Sequence, residues 1–293
     1  PGGGAGSGRG SRTGGLSRDV EDPEWVAVRD AATVMLVRDG SAGLEVFMLR
    51  RNLNSDFVGG AYVFPGGGVD VADADERLEA ICDGRTDADA SALLGVERGG
   101  LAFWVAAVRE SFEEAGLLLA TDHAEVPLRF DDPDVDARFL VHRQAVDSGR
   151  RSLREVCEDE GLRLSVGRIQ YFSRWITPLG APRRYDTRFF VAHPPEGQVP
   201  LHDDREVVAN LWIRPQDALD RHRAGEFELI FPTVRSLEAL TRFAAADQVV
   251  EHAAAIARVE PVLPTMEEGR HGLRIVLPGD ERYDAVTSRR VDD

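Results

Sequence analysis

The 293-residue sequence contains no lysine, so all 35 of its Lys and Arg positions are arginines. Schiff-base chemistry on a lysine and a P-loop lysine are therefore excluded. Only two cysteines are present, Cys82 and Cys157, and neither belongs to a CxxC motif. We expect neither a disulfide-built scaffold nor a zinc cluster from this pattern, and a reducing compartment is the default.

Long apolar runs and an excess of positive charge are missing as well. No stretch resembles a membrane-spanning helix or a secretory leader, so we expect no membrane partner and a cytoplasmic location. The net charge of −16 argues against a nucleic-acid partner, because binding a polyanion requires a basic surface. A small anionic ligand needs only a local basic pocket or a bound cation, so this class of ligand stays open.

The composition is typical of one globular domain that follows a flexible tail. Residues 1–22 are rich in Gly, Ser and Arg and are predicted to be that tail. Residues 23–293 are predicted to form a single domain. Within it we expect insertions at about 71–100 and 121–166, and a helical C-terminal extension from about residue 246. The first insertion is interpreted as an addition to the fold rather than a core element.

The hydrophobic pattern predicts strands mixed with helices. Two apolar, β-rich runs, ATVMLVR and LEVFMLRR, are separated by turn residues and predict a hairpin. AYVFPGGGVD follows as a third strand, and GLRIVLPG near the C-terminus is interpreted as a final edge strand. Strands with helices spread among them favour an α/β (α+β) sandwich.

A helix is predicted over residues 101–119, because apolar side chains recur there at helical spacing. Its apolar stripe consists of Leu101, Trp104, Val105, Val108, Phe112 and Ala115. The opposite face gathers Glu110, Glu113 and Glu114 within an arc of roughly 100°. Arg109 precedes Glu113 by about one helical turn and can pair with it.

This carboxylate cluster has two interpretations. A solvated helix face with one ion pair is the commoner arrangement for an isolated helix. Like charges at these spacings repel, however, by roughly 0.2–0.5 kcal/mol per pair. A divalent cation such as Mg²⁺, which takes oxygen ligands, would neutralise the cluster. The helix alone leaves both interpretations open, so its context has to be considered.

That context resembles the Nudix hydrolase family. Arg109-Glu110, Glu113-Glu114 and Gly116-Leu117 match the second half of the Nudix box, REUxEExGU, with Ser111 in the first hydrophobic slot. FPGGGVD supplies the glycine turn that opens the box, although 41 residues lie between Gly67 and Arg109, far more than in the standard box. Leu101 stands where the arginine spacing requires a box glutamate. Counted forward from Gly67, that place falls on Asp73, and in the family this glutamate is usually peripheral to the chemistry.

The resemblance implies a Nudix-type α/β/α sandwich with a mixed central sheet and helical insertions. It also implies an enzyme that cleaves the diphosphate of a nucleoside diphosphate derivative by water attack, with Mg²⁺ or Mn²⁺. Carried over by residue, the metal ligands would be Glu110, Glu113, Glu114 and the Gly66 carbonyl. Arg109 would hold the glutamates in place. Glu206, at the start of a later strand, is the candidate for an outer metal ligand or general base.

The substrate is indicated by a second, partial resemblance. MLRRNLNSDFVGGAYVFPGG is similar to an extra motif of the coenzyme A diphosphatases in this family, and the split box looks like the subgroup around the peroxisomal coenzyme A diphosphatase. Arg51 and Gly60 match that motif and would bind substrate, whereas Asn52 and Asp56 depart from it. Coenzyme A or acyl-coenzyme A is therefore the first substrate expected. NADH, ADP-ribose and oxidised nucleotides are the alternatives.

Other parts of the sequence leave their roles open. Arg184 could contact the diphosphate or pair with surface acids. The aromatic residues Tyr171, Phe172 and Trp175 could stack on a base or pack in the core. The two insertions could form a homodimer interface or a lid. A different class of function is a Nudix-like domain that binds a nucleotide without cleaving it, as a sensor or an assembly partner.

Overall fold

The computed structural model describes residues 26–53, 59–201, 207–269, 272–280 and 283. The predicted tail at 1–22 lies outside these described residues, as do Asp56 and Glu206. The strands in chain order are β1 (Val28–Gly40), β2 (Gly43–Arg51), β3 (Tyr62–Val63), β4 (Gly66–Gly68), β5 (Ala120–Asp122), β6 (Leu162–Leu164), β7 (Gln170–Ile176), β8 (Arg184–Ala192), β9 (Val207–Ile213), β10 (Pro261–Val262), β11 (Thr265–Gly269) and β12 (Gly272–Val276).

The helices are α1 (Asp87–Leu94), α2 (Leu101–Ala115), α3 (Pro133–Asp147), α4 (Leu153–Glu160), α5 (Pro215–Arg223), α6 (Phe231–Leu240) and α7 (Ala246–Ala254). Short 3₁₀ helices cover Val71–Ala74, Glu76–Ile81 and Val166–Arg168. None of the helices in the described part of the chain has the length and apolar character needed to cross a bilayer.

An eight-stranded mixed sheet forms the centre of the fold. Its strand order is β10-β7-β8-β1-β2-β3, with β4 paired to β1 and β9 paired to β2. β1 runs parallel to β8 and antiparallel to β2, which confirms the expected mixed sheet and the expected hairpin. The expected final strand is β12, which pairs with β11 in a separate two-stranded sheet and is an edge strand there.

The segment AYVFPGGGVD fills a gap between two diverging strands. β1 and β2 pair only close to their turn, from Val37 opposite Val46 to Gly40 opposite Gly43. Farther along, β3 pairs with β2 and β4 pairs with β1. The single strand predicted here is therefore two short strands with different partners. Their junction lies where the two halves of the sheet separate.

Helices cover both faces of the sheet, as a three-layer α/β/α sandwich requires. Alternate residues of β1 supply the two cores, since successive side chains of a strand point to opposite faces. Val34 and Leu36 pack with Trp104 and Phe112 of α2. Met35 and Val37 pack in a second core that includes residues of α5, α6 and α7. The predicted apolar stripe of α2 is buried along its whole length.

The segment 71–100, which we expected to lie outside the core, contributes to it. Leu78, Ala90 and Leu94 are buried against the α2 side of the sheet. This segment also caps the N-terminus of α2, the helix that carries the second half of the Nudix box (the box helix). Asp87 accepts hydrogen bonds from the backbone N–H groups of Gly99 and Leu101 at 2.9 Å each. Gly100 itself gives α2 no side-chain cap, so α1 supplies one.

The C-terminal extension is only partly helical. α7 begins at Ala246, as expected, but β10, β11 and β12 follow it. Between the box helix and β7, the region at 121–166 forms α3 and α4 as predicted. Whether the regions at 71–100 and 121–166 are insertions within one domain stays a prediction.

Replacing Asp87 with alanine should destabilise the protein by about 0.5–2 kcal/mol, the usual effect of losing an N-terminal helix cap. Urea unfolding followed by circular dichroism measures this change. Glu97→Ala is the matched control, since Glu97 is an exposed acid of the same segment. Equal unfolding midpoints for the two variants would contradict the capping role of Asp87.

Candidate active site

The outer edge of β4 faces the box helix α2. Val34 N donates to Pro65 O at 2.9 Å, and Val69 N donates to Asp30 O at 3.0 Å. Pro65 and Val69 therefore point their polar backbone groups at β1. Because this direction alternates along an antiparallel strand, Gly66 and Gly68 point theirs away from β1. The Gly66 carbonyl consequently lies on the edge that faces the carboxylates of α2.

Two contacts join this edge to α2. Gly66 N donates to Glu114 Oε2 at 3.0 Å, and the Gly68 carbonyl accepts from Arg109 Nη2 at 2.7 Å. Gly67 lies against the Glu110 carboxylate so closely that a Cβ atom at position 67 would collide with it. A side chain at position 67 would therefore displace the Glu110 carboxylate from its present place. The two halves of the interrupted box meet in space, although 41 residues separate Gly67 from Arg109.

Arg109 is the hub of the cluster. Its Nη1 donates to Glu110 Oε1 at 2.9 Å and to Glu113 Oε2 at 2.8 Å. The side chain of Arg109 is 9% exposed. Burial alone would lower the pKa of the guanidinium, but its hydrogen bond to Asp73 and the charges of Glu110, Asp73 and Glu113 raise the pKa above its ordinary value. Arg109 therefore holds the glutamates as the sequence predicted.

Asp73 takes a more central place than expected. Its carboxylate accepts from Arg109 Nε at 2.9 Å and from Arg109 Nη2 at 3.0 Å. It also accepts from Asp70 N at 2.8 Å, and the residue is 3% exposed. Asp73 fixes the arginine that holds the glutamates, so it supports the site indirectly, and a place peripheral to the chemistry stays a prediction. The position six residues after Gly67 was the signal that could have found it.

Burial changes the acidity of the two glutamates nearest Arg109. Desolvation raises the pKa of Glu110 to about 7, even though the Arg109 charge acts in the opposite direction and the Glu113 charge adds to the rise. The pKa of Glu113 is also raised, mainly by desolvation. A carboxylate whose ionised form is disfavoured by burial is stabilised when a cation approaches it.

The donor set fits a hard divalent cation. Three carboxylates and one outward-facing carbonyl are all oxygen donors, which Mg²⁺ and Mn²⁺ prefer. Within the described ranges, no three His, Cys, Asp or Glu side chains are already gathered as a metal cluster. Arg109 Nη1 explains this in part, since it bonds to both Glu110 and Glu113. Glu110, Glu113, Glu114 and the Gly66 carbonyl could hold a metal after a small rearrangement of side chains.

A buried arginine of α3, which the sequence did not indicate, supports the far end of the box helix. Arg143 Nε donates to the Glu113 carbonyl at 2.9 Å, and Arg143 is 5% exposed. A cation at the C-terminus of a helix is favourable because the last carbonyls lack partners within the helix. α3 thereby fixes the turn that carries Glu113.

Comparison with known proteins identifies the fold and the family. The NUDT19 Nudix domain model matches residues 85–240, more than half of the chain. The acyl-coenzyme A diphosphatase NUDT19 of Gallus gallus is 28% identical over 303 residues, which cover 87% of this chain and 79% of the relative. The human protein of the same name is 28% identical over 277 residues, which cover 82% and 72%.

The chain belongs to the NUDT19 Nudix family. It is a Nudix diphosphohydrolase, and such hydrolases are generally dependent on a divalent metal. A solved Nudix hydrolase from Alicyclobacillus acidocaldarius has the same fold, with a TM-score of 0.64 and 28% identity over 81% of this chain and all of that one.

A cleft lies on the other side of the Nudix glycine turn from α2. Its volume is about 110 Å³, and it is lined by Thr33, Arg51, Val63, Phe64, Gly66, Phe189, Ile230 and Thr233. Arg51 thus shares this cleft with Gly66, close to the carboxylate cluster. Gly60 is not among the residues that line the cleft. Its N–H donates to the Arg51 carbonyl at 3.2 Å, and its φ of 83° allows the turn into β3. Substrate binding by Arg51 and Gly60 stays a prediction.

Arg184 lies at the far end of the sheet from the Nudix carboxylates. It pairs with Val28 of β1, whereas Gly66 pairs with Thr33. Five residues of strand correspond to about 17 Å. Arg184 Nε donates to the Thr177 carbonyl at 3.2 Å, and no ion pair joins it to an acid among the described residues; contact with the diphosphate stays a prediction.

The aromatic residues considered for base stacking are mainly core residues. Tyr171 is 7% exposed and Phe172 is 9% exposed. Tyr171 lies beside Phe190, with ring centroids 5.6 Å apart. Trp175 is only half-buried and contacts Phe231. Core packing is therefore the correct interpretation for Tyr171 and Phe172.

The Arg109–Asp73 pair can be tested by a double-mutant cycle in urea unfolding. Arg109→Met should destabilise the metal-free protein by about 3–5 kcal/mol, because it leaves Asp73 buried without its cation. The double variant Arg109→Met, Asp73→Asn should regain part of that loss, since no buried charge remains unpaired. Additive effects would contradict the pairing. Arg77→Met, which breaks an exposed pair with Asp75, should change the midpoint little.

Proposed function

We propose that this Nudix enzyme hydrolyses the diphosphate of coenzyme A or acyl-coenzyme A with Mg²⁺ or Mn²⁺. The observation that carries the reaction class is the approach of Glu110 and Glu114 to the β4 edge that carries the Gly66 carbonyl, with Glu113 joined to Glu110 through Arg109. The relatives from chicken and man are named acyl-coenzyme A diphosphatases, and this supports the substrate class.

The proposed metal ligands are Glu110, Glu113, Glu114 and the Gly66 carbonyl. A bound divalent cation supplies charge neutralisation of the diphosphate and a lower pKa for an attacking water. The chain's own groups keep the ligands aligned. Arg109 orients Glu110 and Glu113, and the Gly66 N–H orients Glu114.

The remaining roles are assigned to groups around this centre. Arg51 binds and orients a phosphate of the substrate through charge-assisted hydrogen bonds. Glu206 is the candidate acceptor for the proton of the attacking water, and this assignment rests on the sequence alone. Val207, the first described residue after it, pairs with Arg51 across β2 and β9, so this part of the chain returns to the same cleft.

Glu114→Gln should lower kcat for coenzyme A by at least about 100-fold, because a neutral amide supplies less of the charge stabilisation that a metal ligand provides. The measurement is release of 3′,5′-ADP in Mg²⁺ and in Mn²⁺. Glu97→Gln, an exposed change outside the cluster, should retain full activity. Folding of Glu114→Gln is checked by its melting midpoint without metal.

Binding and turnover measured on wild type also distinguish hydrolysis from nucleotide binding without cleavage. If wild type binds coenzyme A but turns over neither it nor NADH, ADP-ribose or oxidised nucleotides, the binding role is correct and the enzyme proposal fails. Preferred turnover of another compound in the panel would instead reassign the substrate.

Metal binding has a readout that does not depend on activity. Mg²⁺ or Mn²⁺ should raise the melting midpoint of wild type, since a ligand that binds only the folded state stabilises it. Glu110→Gln should lose most of this rise, and in EDTA it should melt no lower than wild type because burial disfavours the ionised form of Glu110. An equal metal-induced rise in both proteins would exclude Glu110 as a ligand.

A further inference from the structure

The cleft beside Gly66 contains polar groups that the proposed metal chemistry does not use. Arg51 Nε is buried and finds no hydrogen-bond partner among the described residues. Thr233 is 2% exposed and lines the same cleft, and its hydroxyl likewise makes no hydrogen bond within the described part of the chain. A buried donor without a partner is costly, so a ligand that accepts a hydrogen bond from Arg51 Nε would be stabilised here, with the Thr233 hydroxyl available as a second donor.

The N-terminus of α6 points at the same place. Ile230, its N-cap residue, makes no side-chain cap and lines the cleft with Thr233. The first N–H groups of a helix have no partner within the helix, and Pro232 has no N–H to offer. The N–H groups of Phe231 and Thr233 are left without an acceptor among the described residues. Such a helix end favours an anion through its hydrogen bonds and its dipole.

The charges and the size of the cleft further restrict the kind of ligand that it could bind. Among the described residues that line it, Arg51 is the one charged side chain and none is a carboxylate, although the whole chain carries a net charge of −16. The volume of about 110 Å³ is well below the roughly 300–1,000 Å³ of pockets that enclose a whole small molecule. One phosphate-sized group of a larger ligand fits this description.

We propose that Arg51, Thr233 and the N-terminus of α6 form a subsite for one phosphate group of the substrate, separated from the metal ligands only by Gly66. Arg51 donates from β2, and the Thr233 hydroxyl and the α6 backbone donate from the opposite side. Arg51 was expected at the substrate from the sequence, whereas Thr233 and α6 were not. Naming this phosphate as the substrate's rests on the proposed function; the subsite itself does not.

Equilibrium binding of inorganic phosphate in EDTA tests the subsite without any turnover. Titration calorimetry should show one phosphate site in wild type and at least about tenfold weaker binding in Arg51→Met, the loss expected for a hydrogen bond to a charged group. Thr233→Val, which keeps the shape of the side chain, should also weaken binding. Arg235→Met, on the exposed face of the same helix, should bind phosphate as wild type does.

Absence of a phosphate site in wild type, or equal affinities in wild type, Arg51→Met and Thr233→Val, would overturn the proposal. The second result would mean that water satisfies these groups and that phosphate binds elsewhere. A common melting midpoint for wild type and Thr233→Val shows that the comparison is between folded proteins.

Turnover then distinguishes which phosphate occupies the subsite. If the subsite binds the diphosphate, Arg51→Met and Thr233→Val should slow the hydrolysis of coenzyme A and of 3′-dephospho-coenzyme A by the same factor. If the subsite binds the 3′-phosphate, the variants should slow the hydrolysis of coenzyme A alone. Weakened phosphate binding in the variants, together with no coenzyme A hydrolysis by wild type, would retain the subsite and remove the proposed function.

Discussion

The Arg109 guanidinium joins its own helix to the glycine turn and to the segment after that turn, which lie 36–41 residues earlier in the chain. It bonds to Asp73 in the segment after the glycine turn, to the Gly68 carbonyl on β4, and to Glu110 and Glu113 on its own helix. One delocalised cation with five donors can satisfy such a set, whereas a lysine could not. The position of every carboxylate in the site follows from this contact and from the Gly66 N–H.

The glutamates held by Arg109 are well ordered, but their ionised forms are electrostatically unfavourable. Glu110 and Glu113 share one guanidinium donor and are both partly desolvated, so burial raises the pKa of each. Their ionised forms are consequently less stable here than in water. A divalent cation relieves this cost only if it reaches the same oxygen atoms. The site is therefore organised by the protein but electrostatically incomplete without a cation.

The divergence of β1 and β2 explains why a second cleft lies behind the glycine turn. β3 and β4 occupy the gap between these strands, each paired with a different one. Residues of both halves of the sheet then approach α6, with Thr33 from β1 and Arg51 from β2. Gly66 lies between the cleft and the carboxylate site, since it lines the cleft and its N–H donates to Glu114. A diphosphate that spans this turn would contact both.

Local patterns in the sequence predicted most of the elements, and the family resemblance predicted their arrangement. The helical stripe of α2, the β1–β2 hairpin and the pairing of Arg109 with Glu113 follow from spacing over a few residues. Asp73 and Asp87 were undervalued because their partners, Arg109 and Leu101, lie far along the chain. The cleft at Thr233 could not be predicted either, since it depends on how α6 packs across the separated strands. Spacing in sequence carries no information on such contacts.

Diffraction from crystals soaked with Mn²⁺ and the non-hydrolysed product 3′,5′-ADP would test the central claim most directly. An anomalous peak is expected about 2.1 Å from oxygen atoms of Glu110, Glu114 and the Gly66 carbonyl, the distance usual for small divalent cations. The Arg109–Asp73 contact should be unchanged. A peak bound elsewhere, or carboxylates that keep their present contacts with no metal beside them, would contradict the account.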